Sequence, residues 1–363
     1  ENTGDVSIHK VLSTPDAPER AILQGLSDLN IDTTDLLLVH GSTVATNAVL
    51  EGKGVRTAYI TNKGLADVLS IGRQARKQLY NLQPEKKPPL IPQENCLEVD
   101  SRLSADGEAL ITMDENALRQ LCQQVEALAP QAVAINLLFS FIDDAEEKRI
   151  ESVLQNVGPD TLFISRSSDV LPEYKEYERG ITTTLNAYVG PLMQGYLQRL
   201  EQKIPGCRLA VMQSSGGTAS AHHAGRYAVQ LLLSGPAGGL KGAQFAAAKS
   251  GFDRLLSFDM GGTSTDVSII DREIGFTTEG RIGDYPVAVP MVDMHTIGAG
   301  GGSIASVDAG GMLLVGPESA GADPGPACYG KGGSQPTVTD ANVVLGRLLP
   351  VSYTHLTLPT TGI

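Results

Sequence analysis

The sequence predicts an α/β protein with largely parallel sheets, on three observations. Apolar, β-branched runs alternate with helix-patterned segments through the first half of the chain. Glycine and proline clusters punctuate them. At 363 residues the chain has the length of about two domains.

LLLVH (36–40) predicts a buried strand, and GSTVATNAVLEGKG after it predicts a helix from near Thr43 to Gly52 or Gly54. VRTAYIT (55–61) reads as the next strand and LADVLSIGRQ (65–74) as a short helix. QPEKKPPLIP (83–92) is a proline-rich surface connection. ENALRQLCQQVEAL (115–128) has apolar residues at helical spacing, and QAVAINLLFSF (131–141) reads as a long buried strand. DDAEEKRIESVLQNV (143–157) predicts a helix whose acidic start suits the macrodipole. TLFISR (161–166) is another strand, and a long helix is expected over about 176–203.

The pattern then changes. RLAVMQSSGG (208–217) and LLSFDMGGTSTDVSII (255–270) read as strands ending in glycine-hydroxyl loops. SGPAGGLKGAQFAAAKSG (234–251) reads as a glycine-rich entry to an Ala-rich helix. A domain boundary is expected near residue 184, giving segments 1–183 and 184–350, with 351–363 as an atypical tail.

Composition excludes some functions. Twenty-eight Lys and Arg against 41 Asp and Glu give a formal charge of −13, without a basic block, so a nucleic-acid partner is not expected. No run reaches the length of a membrane span. The four cysteines lie far apart with no C-x-x-C pair, which reads as thiols in a reducing, cytoplasmic compartment. The chain opens on Glu1 rather than Met and shows no signal peptide, so it reads as a piece of a longer protein.

The densest stretch is SFDMGGTSTDVSII (257–270). Asp259 and Asp266 flank Gly261, Gly262, Thr263, Ser264 and Thr265 between two apolar runs. Glycines let the backbone approach a ligand closely, and successive N–H groups in such a turn form an anion-binding concavity. The carboxylates cannot face phosphate without a cation, and Mg2+ suits carboxylate, water and phosphate oxygens. These are the parts of a phosphoryl-transfer site. The competing reading is a plain hairpin with a polar turn.

The second loop, HTIGAGGGSIASVD (295–308), places Gly298, Gly300, Gly301 and Gly302 before Ser303, which could open a helix. Contact with a nucleotide and a purely structural glycine turn are both open, and His295 reads first as a structural histidine. SGPAGG (234–239) fits either an anion site at a helix N-terminus or close helix–sheet packing. His40, Thr43, Thr46 and Asn47 cluster after a strand, as an N-cap turn or as a ligand surface at the strand's carboxyl end. Nothing beside Cys328 in sequence would activate it, and His222-His223 has no third metal ligand at convincing spacing.

HGSTVATNAVLEGKGVRTAYITNKGLADVLSIGRQ, LNAYVGPLM, SSGG, LLSGPAGGLKGA, FDMGGTSTDVSII, HTIGAGGGSIASVDAGG, VGPESAGADPGPACYGKGG and PTVTDANVVLGRL occur in that order. Together they make the chain resemble the hydantoinase A / 5-oxoprolinase family, which also includes the β-type subunits of acetone carboxylase. The resemblance implies an actin-like (ribonuclease H-like) two-lobed ATPase fold, incomplete at both ends. It implies ATP and Mg2+ as cofactors and a cyclic amide, such as 5-oxoproline or a hydantoin, as substrate. The implied chemistry is phosphorylation of the amide carbonyl oxygen, then attack of water. A ketone carboxylase subunit and a non-catalytic actin-like nucleotide-binding protein are the alternatives.

Carried over, Gly261 to Thr265 would cradle phosphates, Asp259 and Asp266 would hold Mg2+ or position water, and Gly298 to Ser303 would lie near the nucleotide. His40 to Asn47 would belong to a polar surface of the first lobe. The resemblance also implies a hydantoinase B-type subunit or fused domain. Two departures stand out. The family's opening D-x-G-G-T-F-T-D loop is missing, and VSYTHLTLPTTGI (351–363) matches nothing in the pattern. The expectation is therefore a fragment that is inactive alone.

Overall fold

The computed structural model describes residues 7–348 except 12–13, 15–16, 76–87, 160 and 322. Part of the proline-rich connection and the whole 351–363 tail lie outside the described residues. In chain order the elements begin α1 (Pro18–Asp28), β1 (Leu37–His40), α2 (Val44–Leu50), β2 (Thr57–Asn62) and α3 (Val68–Ile71). Then come β3 (Cys96–Val99), β4 (Arg102–Leu103), β5 (Ala109–Ile111), α4 (Glu115–Leu128), β6 (Ala132–Asn136), α5 (Ala145–Val157), β7 (Phe163–Arg166) and α6 (Ser167–Val170). The 28-residue α7 (Glu176–Lys203) leads to β8 (Arg208–Met212), β9 (Thr218–Ser220), α8 (Ala221–Arg226) and α9 (Ser234–Lys249). The rest is β10 (Arg254–Met260), β11 (Thr265–Asp271), β12 (Glu273–Ile274), β13 (Phe276–Thr277), β14 (Gly280–Ile282), β15 (Tyr285–Val287), β16 (Met291–Val292), β17 (His295–Ile297), β18 (Ser303–Val307), β19 (Leu313–Ser319) and α10 (Val338–Val344).

The chain divides into two compact units. Among the described residues, one holds 11–238 and 276–292; the other holds 7–10, 239–275 and 293–348. Residue 184, where a boundary was expected, lies inside the continuous helix α7.

The larger unit is built on a parallel sheet of order β3-β2-β6-β7. Alternation of side chains across the strands sorts them onto two faces. Ala58, Ile60, Val133 and Ile135 pack with Leu118, Leu121 and Val125 of α4 and Ile150 and Leu154 of α5. On the other face Tyr59, Ala132 and Ala134 pack with Ala187 of α7. α7 lies close because two of its residues lack a Cβ: one at Gly180 would meet Asn136 Nδ2 at 2.6 Å, and one at Gly190 the Phe163 ring at 2.4 Å. A second sheet, β1-β8-β9, joins a core of α2, α7 and α8 side chains. The parallel pairing of β3, β2, β6 and β7, and of β1 with β8, bears out the α/β expectation, while β9 runs antiparallel to β8.

Two local readings are corrected. β6 ends at Asn136 rather than running to 141, because Phe139 takes a left-handed conformation (φ 62°) and the chain turns. β1 is not a buried strand: Leu37 is 50% and Val39 49% exposed on its bare face, and among the described residues it pairs with β8 alone.

In the smaller unit β11 sits between β10 and β17, pairing β12 at its far end, all antiparallel, and β18 pairs β19. Ser303 opens strand β18, not a helix, because its neighbours are held as a ladder against β19.

Candidate functional site

β10 and β11 form a hairpin whose register sets Asp259 directly opposite Asp266 and Met260 opposite Thr265. Gly261, Gly262, Thr263 and Ser264 make the turn, closed by Gly261 N–H donating to Ser264 O at 2.9 Å. The two carboxylates therefore share one sheet face, a like-charge cross-strand pair that opposes the hairpin unless a cation lies between. Thr296 Oγ1 donates to Asp266 Oδ1 at 2.7 Å, while Asp259 takes no hydrogen bond or ion pair among the described residues.

The 298–303 loop packs backbone to backbone on this turn. Gly301 N–H donates to Gly261 O (2.8 Å) and Gly302 N–H to Gly262 O (2.6 Å). Gly300 N–H goes to Ser303 Oγ (2.8 Å), and Ala299 and Ser303 N–H to Ile297 O and Gly300 O. A Cβ on Gly300 would lie 2.7 Å from Gly261 O, and one on Gly302 2.9 Å from Gly262 O. These glycines thus answer to the hairpin, and the loop spends the N–H groups of 299–303 inside the protein. Of the two readings open for this loop, the geometry carries the structural one. Thr265 Oγ1 likewise gives its single proton to Ala299 O (2.6 Å), which removes it as a side-chain donor to phosphate.

The turn itself is different. Among the described residues no hydrogen bond engages the N–H groups of Gly262, Thr263 and Ser264, nor the hydroxyls of Thr263 and Ser264. Gly262 is not in the left-handed region, and a Cβ there would meet nothing within 4 Å. No contact inside the chain requires glycine there. Successive N–H groups without partners in a tight turn are the kind of donor set an anion can use.

Sequence reasoning missed what holds this pair of loops. Thr339 donates to Gly301 O twice, from its N (2.7 Å) and its Oγ1 (2.8 Å). Asp340 accepts from Thr337 N (2.9 Å), Thr337 Oγ1 (2.8 Å) and Cys328 N (2.7 Å), forming a capping box on α10. The T-x-x-D spacing of Thr337 and Asp340 carried that signal. Burial works to raise the Asp340 pKa, but the hydrogen bonds from Cys328 and Thr337 outweigh it and hold it at about 2. Burial and Asp340 together push the Cys328 thiol up to about 11, so it is no ready nucleophile.

In the larger unit His40, Thr43, Thr46 and Asn47 brace a turn. His40 Nε2 and the Tyr196 hydroxyl share a 2.7 Å hydrogen bond, and burial pushes the imidazole down to about 4 and the phenol up to about 12. Thr46 Oγ1 accepts from Leu233 N (3.0 Å), and Asn47 Nδ2 lies 3.4 Å from Thr43 Oγ1 on the exposed side of α2. Ser234 Oγ donates to Ser42 O (2.9 Å), so the SGPAGG start is tied by packing. No group of three or more His, Cys, Asp or Glu that could hold a metal occurs among the described residues. Asp259 and Asp266 are two ligands at most. Mg2+ is commonly held by one or two carboxylates plus phosphate and water.

Two family models match the chain: the hydantoinase/oxoprolinase N-terminal region over residues 1–158 and hydantoinase/oxoprolinase over 179–361. Caprolactamase subunit alpha of Pseudomonas jessenii is 35% identical over 96% of this chain and 52% of its own. The crystal structure of the ATP-dependent caprolactamase from that organism superposes with a TM-score of 0.80 at 34% identity, over 96% of this chain and 52% of its own. Nucleotide-free acetone carboxylase superposes with a TM-score of 0.75 at 25% identity, over 93% of this chain and 51% of its own. The 5-oxoprolinase of Saccharomyces cerevisiae is 34% identical over 85% of this chain and 26% of its own length. The chain thus spans about half the length of the caprolactamase subunit and about a quarter of the yeast enzyme. The likeness to both structures bears out the actin-like α/β fold. With both models matched and the structural likeness running through nearly the whole chain, this protein is a member of the hydantoinase/oxoprolinase family.

Proposed function

We propose that this chain is the phosphate-binding part of an ATP-dependent hydrolase that opens a cyclic amide. The observation that carries the reading is the β10–β11 turn, where three free N–H groups and two free hydroxyls stand beside a carboxylate pair. Gly262, Thr263 and Ser264 would donate to phosphate oxygens. Asp259 and Asp266 would hold Mg2+, with Asp266 oriented by Thr296. Thr265 and the 298–303 loop position the turn rather than touch the nucleotide. Mg-ATP would supply a phosphoryl group for the amide carbonyl oxygen with ADP leaving, and water attacking the activated carbon would open the ring with release of inorganic phosphate. The protein's part is positioning and charge stabilisation, as phosphoryl transfer requires.

Relatives named as ATP-dependent caprolactamase and 5-oxoprolinase support this substrate class. The likeness to acetone carboxylase favours a second reading, a subunit of an ATP-dependent ketone carboxylase. Both readings use the same turn, and a hydantoinase B-type partner fits either. No helix among the described residues is long and apolar enough to cross a membrane, and the four cysteines are free, which fits a cytoplasmic enzyme.

Isothermal titration with Mg-ATP tests the turn. Gly262→Val fills open space without an internal clash, so it is expected to weaken binding at least about tenfold with Tm unchanged. Binding that survives both Gly262→Val and Asp259→Asn would refute the assignment. Product analysis of the full-length enzyme, with cyclic amides against ketone plus bicarbonate, separates the two reactions.

A further inference from the structure

The larger unit holds a cleft of about 400 Å³ between the start of α7 and the β14–β15 hairpin. Ala288 N donates to Thr182 Oγ1 at 3.2 Å, which ties one wall to the other. The floor is apolar, with Leu171 and Val287 both buried. The rim carries both signs of charge. Lys175 and Arg281 stand on it with Glu173 and Glu279, and among the described residues none of the four pairs with an opposite charge. Glu178, the remaining charged group of the lining, is taken by Arg73, whose Nε and Nη2 donate to its two carboxylate oxygens at 2.8 and 2.5 Å. Lys175 holds a left-handed conformation (φ 74°), which a Cβ disfavours, and its Nζ lies 5.6 Å from the centre of the Tyr174 ring. Backbone strain of this kind concentrates at ligand sites. An apolar floor between unpaired charges of both signs matches a ligand with an apolar middle and opposite charges at its ends.

We propose that this cleft takes an ω-amino acid, an alkyl chain bearing a carboxylate and an ammonium. Lys175 and Arg281 receive the carboxylate, Glu173 and Glu279 the ammonium, and Leu171 and Val287 the methylene chain. Such molecules are what the proposed reaction makes from a lactam. When water opens the ring, its oxygen joins the carbonyl carbon and the C–N bond breaks. The nitrogen leaves as an amine on the same molecule, and at neutral pH the acid's proton passes to it. The phosphoryl group departs as inorganic phosphate and adds nothing to the product. One neutral ring thus becomes one zwitterion, and the charges of the rim select the open form over the closed one. The assignment rests on the cyclic-amide reading, but its test uses no nucleotide, so the two can fail separately.

The test is titration calorimetry of the 363-residue chain with 6-aminohexanoate as the probe. Hexanoate and hexylamine keep one charge each, and caprolactam, the closed ring, keeps neither. The zwitterion is expected to bind at least about threefold tighter than either singly charged analogue and at least about tenfold tighter than the ring. Lys175→Gln and Glu279→Gln each neutralise an exposed side chain that holds no opposite charge, so Tm should not change. Lys175→Gln should weaken 6-aminohexanoate and hexanoate at least about threefold and leave hexylamine unaffected. Glu279→Gln should weaken 6-aminohexanoate and hexylamine by a similar factor and leave hexanoate unaffected. No binding of the zwitterion, equal binding of zwitterion and ring, or binding that neither variant moves would overturn the assignment. A chain that binds the zwitterion but not Mg-ATP would sink the reaction and leave the ligand of the cleft standing.

Discussion

The two units treat their polar and apolar groups in opposite ways. In the larger one the parallel sheet is covered on both faces, and two of its buried polar groups, Glu147 and Arg179, are held by several hydrogen bonds each. Glu147 accepts from Leu137 N, Ser167 Oγ, Ser168 N and Ser168 Oγ, and Arg179 donates to Asn136 Oδ1, Leu137 O and Glu173 O. In the smaller one an apolar face is open and a turn leaves three N–H groups without partners. Unsatisfied groups are costly when buried and useful when exposed. The turn proposed to bind phosphate belongs to the smaller unit, and the three buried apolar clusters belong to the larger.

The steepest test of that contrast is truncation of the buried core. Ile135→Ala in the larger unit is expected to cost about 2–5 kcal/mol by denaturant melt. An equal cost for Phe258→Ala would erase the distinction. Next comes Gly300→Ala, which drives a Cβ into Gly261 O, Gly262 C and Ser264 N. It should cost about 1–3 kcal/mol and displace the turn, weakening Mg-ATP binding although the residue itself donates nothing to phosphate.

Two acid titrations sharpen the comparison. The His40 pKa is lowered on folding to about 4, so its contribution is complete above the unfolded value of about 6.5 and is lost as pH falls through 4. Tm should decline across that window, and His40→Gln should flatten the decline. The Asp340 pKa is lowered to about 2, so its contribution holds above about 4 and fades as pH falls toward 2. The Tm gap between the parent and Asp340→Asn should close over that lower range. The smallest effect expected is Phe258→Ala, within about 0.5 kcal/mol in this chain.

Elements governed by local pattern were legible in the sequence. The 3.6-residue periodicity of 115–128 and the long helix over 176–203 match α4 and α7 at both ends. Local pattern failed where distant contacts decide. The apolar run after Asn136 looks like strand, but Asn62 Oδ1 accepts from Leu138 N and Arg179 takes Leu137 O, which pull the chain off the sheet. At the site, the glycines, hydroxyls and acids of 259–266 marked in the sequence the hairpin turn on which the proposed function rests. Their division of labour was not legible, because the partners of the Gly301 and Gly302 amides are Gly261 and Gly262, some forty positions earlier.

Arg179 has one more consequence. It sits, fully buried, at the carboxyl ends of β2 and β6, where the sheet order reverses. Parallel sheets offer guests a crevice at that point. Here a guanidinium from α7 is already lodged in it, 5.3 Å from the Phe141 ring and donating to Asn136 Oδ1 at the strand's end and to Leu137 O just after it. The larger unit therefore lodges one of its own charged side chains at the point where other α/β proteins receive a ligand.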